Sequence, residues 1–179
     1  MTSSREELLR ILLPPQSPVD VPSNDDWRLV EQKFGGVPAD FRWFVDCYGS
    51  GRIDNFLFTF NPASRNPHLN LFTQVDLQLD ALRELRSGRT EVVPYSLFPE
   101  PHGLLPFALT DNGDVLYWIT EGSPNQWRVA INDSREPEWE EYSWTLSELL
   151  VRLLTKKARS SIFPKDFPSE RPSFEPSLR

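Results

Sequence analysis

Apolar residues recur at helical spacing in five stretches of the chain and alternate with polar ones in several others. In the first stretch Ser4 and Glu7 predict a capping box, and Leu8, Ile11 and Leu12 form a stripe that Pro14 and Pro15 terminate. The Pro- and Ser-rich run to Asn24 reads as a linker, with the first helix as a detachable arm. Trp27, Val30 and Phe34, then Phe41, Phe44, Val45 and Tyr48, predict a helical hairpin. Gly35 and Gly36 would stop its first helix, and Pro38 would open the second. From Asn55 the period falls to two, predicting a strand with Phe56, Phe58 and Phe60 on one face, covered by the helices, and Leu57 and Thr59 on the other.

Leu71, Val75, Leu79, Leu82 and Leu85 mark a fourth helix reaching Gly88. Strands are expected at 104–110, 115–120 and 126–131, the first two joined by Asn112-Gly113, a dipeptide favoured where a two-residue hairpin turn requires φ > 0 twice. Three antiparallel strands in a meander are the simplest arrangement. Thr145 and Glu148 cap a last helix carrying Leu146, Leu149, Leu150, Leu153 and Leu154. The expected organisation is an N-terminal helix and Pro-rich linker (1–22), one α+β domain with a mainly antiparallel sheet flanked by helices (23–158), and a flexible Pro/Ser-rich tail (159–179) with little periodic apolar surface to bury.

Composition narrows the function. Among 179 residues, 39% are hydrophobic and 12% aromatic, enough to exclude global disorder and to supply one core. Nineteen Lys and Arg against 26 Asp and Glu leave a net charge of −7, which repels a phosphate backbone and argues against a nucleic-acid partner. The single Cys47 excludes an internal disulfide. The first apolar run is too short and too interrupted by charge for a signal peptide, and no stretch approaches the roughly 20 apolar residues that span a bilayer. These features predict a soluble, cytoplasmic protein without membrane contact.

Candidate chemistry is sparse. A Cys–His nucleophile pair would have to use Cys47 with His68 or His102, yet Cys47 falls in an aromatic helix face where a thiol is usually a small hydrophobe. Three Cys and His residues, far apart, are too few for zinc. Asp111-Asn112-Gly113-Asp114 lacks the glutamate that a calcium loop places twelfth, a position held by Gly122. Gly35-Gly36 and Gly49-Ser50-Gly51 lack the remaining residues of phosphate-binding loops. No cofactor, metal or catalytic residue is therefore expected. The acidic run Asp133, Glu136, Glu138, Glu140 and Glu141 is either a solvated face or a recognition surface for a basic partner. Trp139 and Tyr142, interleaved with it, either anchor that partner or pack on the adjacent sheet.

Two blocks carry a resemblance. Trp27-x-x-x-Glu31, Phe34-Gly35-Gly36-Val37-Pro38-Ala39-Asp40-Phe41 and Tyr48-Gly49-x-Gly51 resemble the N-terminal signature of the SUKH superfamily, the Smi/Knr-like proteins. Leu105-Pro106-Phe107-Ala108, Asp111-x-Gly113-Asp114 and Trp118 resemble its central hairpin, in the expected order. Phe41 stands where the family often has Tyr, and the acidic loop after Ile131 matches no family motif. The resemblance, over roughly Asp25 to Leu154, implies a SUKH-like α+β domain without catalysis. It further implies a bacterial immunity protein that neutralises a toxin, often a nuclease or nucleic-acid-modifying enzyme, by stoichiometric binding. The alternative it offers is a regulatory or scaffolding adaptor, for example in cell-wall control. The motif residues are expected to be structural, and a basic toxin domain is the expected partner; the oligomeric state stays open.

Overall fold

A computed structural model describes residues 3–88 and 92–178. They form helices α1 (Ser4–Ile11), α2 (Asn24–Phe34), α3 (Ala39–Tyr48), α4 (Leu71–Gly88) and α5 (Leu146–Leu154). The strands are β1 (Gly51–Ile53), β2 (Leu57–Thr59), β3 (Leu104–Thr110), β4 (Val115–Ile119), β5 (Arg128–Asn132), β6 (Trp139–Tyr142) and β7 (Phe174–Pro176). All seven strands join one antiparallel sheet in the order β6-β5-β4-β3-β2-β1-β7. The α+β architecture is thus the one expected, with β1, β6 and β7 added to the strands read from the sequence.

The central strands are apolar on both faces, so a simple alternation is replaced by near-continuous burial: all of β4 and all but one residue of β3 are buried. Strand register places Leu105, Trp118, Val129 and Tyr142 in one row across the sheet. Phe41 of α3 meets that face, its ring 4.8 Å from Trp118 and edge-on, while Phe107 stacks on Trp118 at 4.3 Å. Trp27 packs against Phe41 and its indole N–H donates to Asp46 at 2.8 Å, fixing α2 on α3. Gly35 ends α2 in the left-handed conformation at φ 74°, its N–H bonded to the Glu31 carbonyl, and Pro38 caps α3. A register shift between Pro106 and Ala108 bends β3. Of the family-motif residues, Trp27, Phe41, Pro106, Phe107, Asp114 and Trp118 are buried, whereas Glu31 and Asp111 present exposed side chains.

Several local expectations are corrected. Ser3, not Ser4, caps α1 in a capping box with Glu6, which releases the Ser4 hydroxyl to bond with that of Ser147 at 2.7 Å. Only Gly113 has positive φ in the β3–β4 turn, because Thr110 N–H bonds to the Asp114 carbonyl and Asp111 joins the loop, making it a three-residue turn with glycine in the left-handed position. Strand β2 spans only three residues, with Leu57 and Thr59 buried and Phe58 half-buried, so Phe58 is not the helix-covered residue expected. Phe56 lies before the strand, packed by Phe163 and Phe167.

Both terminal segments pack on the body. Leu8 and Leu12 are fully buried, α1 lies along α5, and the Tyr48 hydroxyl donates to the Leu12 carbonyl at 2.6 Å. The tail was expected to offer little apolar surface. It nonetheless buries Ile162, Phe163 and Phe167, because aromatic residues without helical or strand period can still fill irregular gaps in a core.

Candidate functional site

The acidic run folds as the β5–β6 hairpin, with β6 at one edge of the sheet. Alternation along β6 sends successive side chains to opposite faces, which separates its carboxylates. Glu140 and Tyr142 share the face of Trp118, where Glu140 accepts hydrogen bonds from Ser161 N–H (2.6 Å), Ser161 Oγ (2.5 Å) and the Tyr142 hydroxyl (2.7 Å). Partial burial alone would raise the Glu140 pKa, but hydrogen bonds from Ser160, Ser161 and Tyr142 outweigh it and hold the carboxyl below its ordinary range. Burial, with the bond to Glu140 added, pushes the Tyr142 hydroxyl up.

Trp139 and Glu141 face the other way. The Trp139 indole donates to the Val92 carbonyl at 3.1 Å and packs against Tyr95 and Tyr117. Glu141 accepts from the Tyr95 hydroxyl at 2.7 Å and pairs with Arg128. Burial first, then this bond, raises the Tyr95 pKa. At the hairpin tip, Asp133 accepts from the backbone N–H groups of Arg135 (2.7 Å) and Glu136 (3.1 Å), so its charge is spent on shaping the turn. Glu136 and Glu138 remain: both are exposed, and among the described residues neither carboxylate is in a salt bridge or hydrogen bond.

This tip is fastened to the β3–β4 turn. Asp114, buried, accepts from Thr110 Oγ1 (2.8 Å) and from Ser134 N–H (3.1 Å), while Ser134 Oγ donates to the Asn112 carbonyl at 2.9 Å. Asp111 and Gly113 of that turn line an open groove of about 660 Å³ whose apolar surface comes from Phe58, Leu69 and Leu109, with Arg52, His68 and Glu175 also along it. Register runs Phe58, Leu109, Val115, Asn132 and Trp139 across one face, so the groove residues Phe58 and Leu109 share a side of the sheet with Trp139. The apolar-floored groove was invisible in the sequence. Its signal was Phe58 itself, an aromatic in an alternating run whose covering element cannot be read from spacing.

The reactive side chains stay apart from one another. Cys47 is half-buried on α3, and burial, then the neighbouring Asp46 charge, raise its pKa, which keeps the thiol protonated. His102 stands 3.8 Å from Glu121, and His68 lies in the groove. Among the described residues no hydrogen bond links the three, no group of three or more His, Cys, Asp or Glu is placed to hold a metal, and no helix is long and apolar enough to cross a membrane.

A family model, SUKH_6, described as SMI1-KNR4 cell-wall, matches residues 24–150, well over half of the chain. The matched interval contains α2 through β6 and the start of α5, but neither α1 nor β7. No curated protein and no solved structure matches the chain.

Proposed function

Because the chain belongs to the SUKH_6 family, described as SMI1-KNR4 cell-wall, we propose that it is a cytoplasmic immunity protein that neutralises a toxin by one-to-one binding rather than by catalysis. The observation that carries this reading is the joining of two turns: exposed Asp111 lines a groove floored by Phe58, Leu69 and Leu109, and Ser134 ties that turn to the hairpin tip bearing Glu136 and Glu138, which are exposed and, among the described residues, without a hydrogen bond or ion pair. Carboxylates free of internal partners steer a basic protein at long range, and an apolar groove receives the side chain that holds it. A nuclease or other nucleic-acid-modifying enzyme fits as the toxin, since its cleft must be basic to hold phosphates. Of the sequence-predicted residues, Glu136 and Glu138 are the steering charges. Asp133, Trp139, Glu140 and Glu141 build the hairpin that presents them.

Affinity capture of the tagged chain from its own cells, at low and high salt, tests this reading. The expected result is a basic partner at one-to-one stoichiometry, released by salt, whose toxic activity returns on separation. The family description also favours a second reading, a non-enzymatic adaptor in cell-wall control. Several substoichiometric partners, none inhibited, would support that adaptor and overturn the immunity reading.

A further inference from the structure

The α3–β1 turn, Tyr48-Gly49-Ser50-Gly51, receives both terminal segments. On one side Val19 bridges to Gly49, and the Ser50 N–H donates to the Val19 carbonyl at 2.8 Å. On the other, the Ser50 carbonyl accepts from Ser177 N–H at 2.9 Å, closing the β1–β7 ladder. A Cβ on Gly51 would sit 2.5 Å from both the Glu175 carbonyl oxygen and the Phe174 ring, so the missing side chain is what lets β7 approach. Phe174 then fills a site beside Tyr48, 5.1 Å away, and Phe44, 6.4 Å away. Asp54 accepts from Ser169 N–H at 2.7 Å and Ser169 Oγ at 2.6 Å, and Arg52 pairs with Glu175. Upstream, Phe163 and Phe167 pack on Phe56.

These contacts form a continuous receptor for an extended segment, matched to one sequence: the chain's own residues 160–177. The connector, Thr155–Arg159, is half-buried to exposed and holds Lys156 at φ 60°, a conformation that non-glycine residues adopt at a cost and that an open connector would relieve. The bonds of Ser50 with Ser177 and of Asp54 with Ser173 set Glu175 facing β1, which leaves the backbone of Phe174 and Pro176 on the outer edge. Pro176 has no N–H there, so β7 ends the sheet rather than extending it.

We propose that the β1 edge and its flanking pockets are an acceptor site open to residues 160–177 of a second copy, so that one chain can dock its tail on another. The argument for this occupant is the fit itself: Gly51, the Phe174 pocket and the Asp54 clasp together select this sequence. The in-cis tail competes at an effective concentration on the order of millimolar, so the tail-docked dimer forms where the internal tail is weakened or the chain is concentrated.

The test mixes two full-length variants. Gly51→Ala with Asp54→Ala keeps an intact tail but a blocked acceptor; Phe174→Ala with Glu175→Pro keeps the acceptor but spoils the tail. At about 0.1 mM each alone should be monomeric, and the mixture should form a one-to-one heterodimer by native mass spectrometry and light scattering. A mixture that remains monomeric, with both variants retaining the wild-type far-UV circular dichroism, overturns the proposal. Should either double variant unfold, Gly51→Ala mixed with Glu175→Pro replaces the pair, and heterodimer or monomer decides in the same way.

Discussion

Asp40 is one of the buried charged groups of the fold. It opens α3, its side chain is 10% exposed, and its carboxylate accepts from Ser147 N–H at 2.7 Å, Ser147 Oγ at 2.8 Å and Arg5 Nε at 3.1 Å. One carboxylate thereby joins α1, α3 and α5. Replacing it by alanine orphans the Ser147 amide, a donor at the start of α5 in a residue only 1% exposed, at a cost of roughly 1–3 kcal/mol. The Ser147 hydroxyl can turn to Ser4, 2.7 Å away, and loses less. Arg5, with its side chain 40% exposed, regains water, so its pairing contributes at most about 1 kcal/mol. The sum is about 1–4 kcal/mol. For a chain of this length, with a urea m-value of about 2–3 kcal/mol/M, the unfolding midpoint should fall by about 1 M at unchanged m. Asp40→Asn, keeping one acceptor oxygen, should fall between, and the Arg5→Ala/Asp40→Ala cycle should show coupling below about 1 kcal/mol. An Asp40→Ala loss under about 0.5 kcal/mol would show that water replaces the carboxylate and that the junction does not depend on it.

Glu136→Gln with Glu138→Gln should slow association with the captured partner and flatten its salt dependence while leaving urea stability within about 0.5 kcal/mol, as stopped-flow and denaturation measurements can check. Glu140→Gln should show the opposite division, with reduced stability and little change in association rate, because its carboxylate holds Ser161 rather than facing solvent. The same carboxyl titrates below its ordinary range of about 4.5 in the folded chain, so its contribution is full above that value and is lost as pH falls through the lowered one. Denaturation between pH 6 and 3 should therefore show an acid-side loss that Glu140→Gln diminishes. Gly49→Ala would bring a Cβ to 2.1 Å from the Val19 carbonyl oxygen at a φ of 68°, and should cost about 2 kcal/mol or more, with faster hydrogen exchange at the Ser50 amide.

Helix positions and the central meander were legible because each rests on local information: a 3.6-residue stripe, a cap, a glycine stop. Thr145 and Glu148 cap α5 as expected, and Phe41, Phe107 and Trp118 form the aromatic contact between α3 and the sheet. The acidic hairpin was legible as composition but not as geometry. Five carboxylates within nine residues look alike in sequence, yet the turn amides on Asp133 and the partners Ser161, Tyr95 and Arg128 leave Glu136 and Glu138, among the described residues, as the two without a hydrogen bond or ion pair. The strands β1 and β7 could not be found from pattern, since three residues are too few to show a period of two and pairing across more than a hundred positions leaves no local trace.

The sequence by itself determined that this chain folds around one aromatic-rich α+β core, that its net charge is acidic, and that its motifs fit a domain of the SUKH type. Only the tertiary structure decided which carboxylates of the hairpin are held by partners, where a groove floored by apolar side chains opens, and why Gly49 and Gly51 are glycines. Each of those depends on what a residue touches from elsewhere in the chain: Val19 on Gly49, Glu175 on Gly51, Ser161 on Glu140. Propensity and periodicity are properties of neighbours in sequence, whereas steric exclusion and hydrogen-bond satisfaction act between neighbours in space.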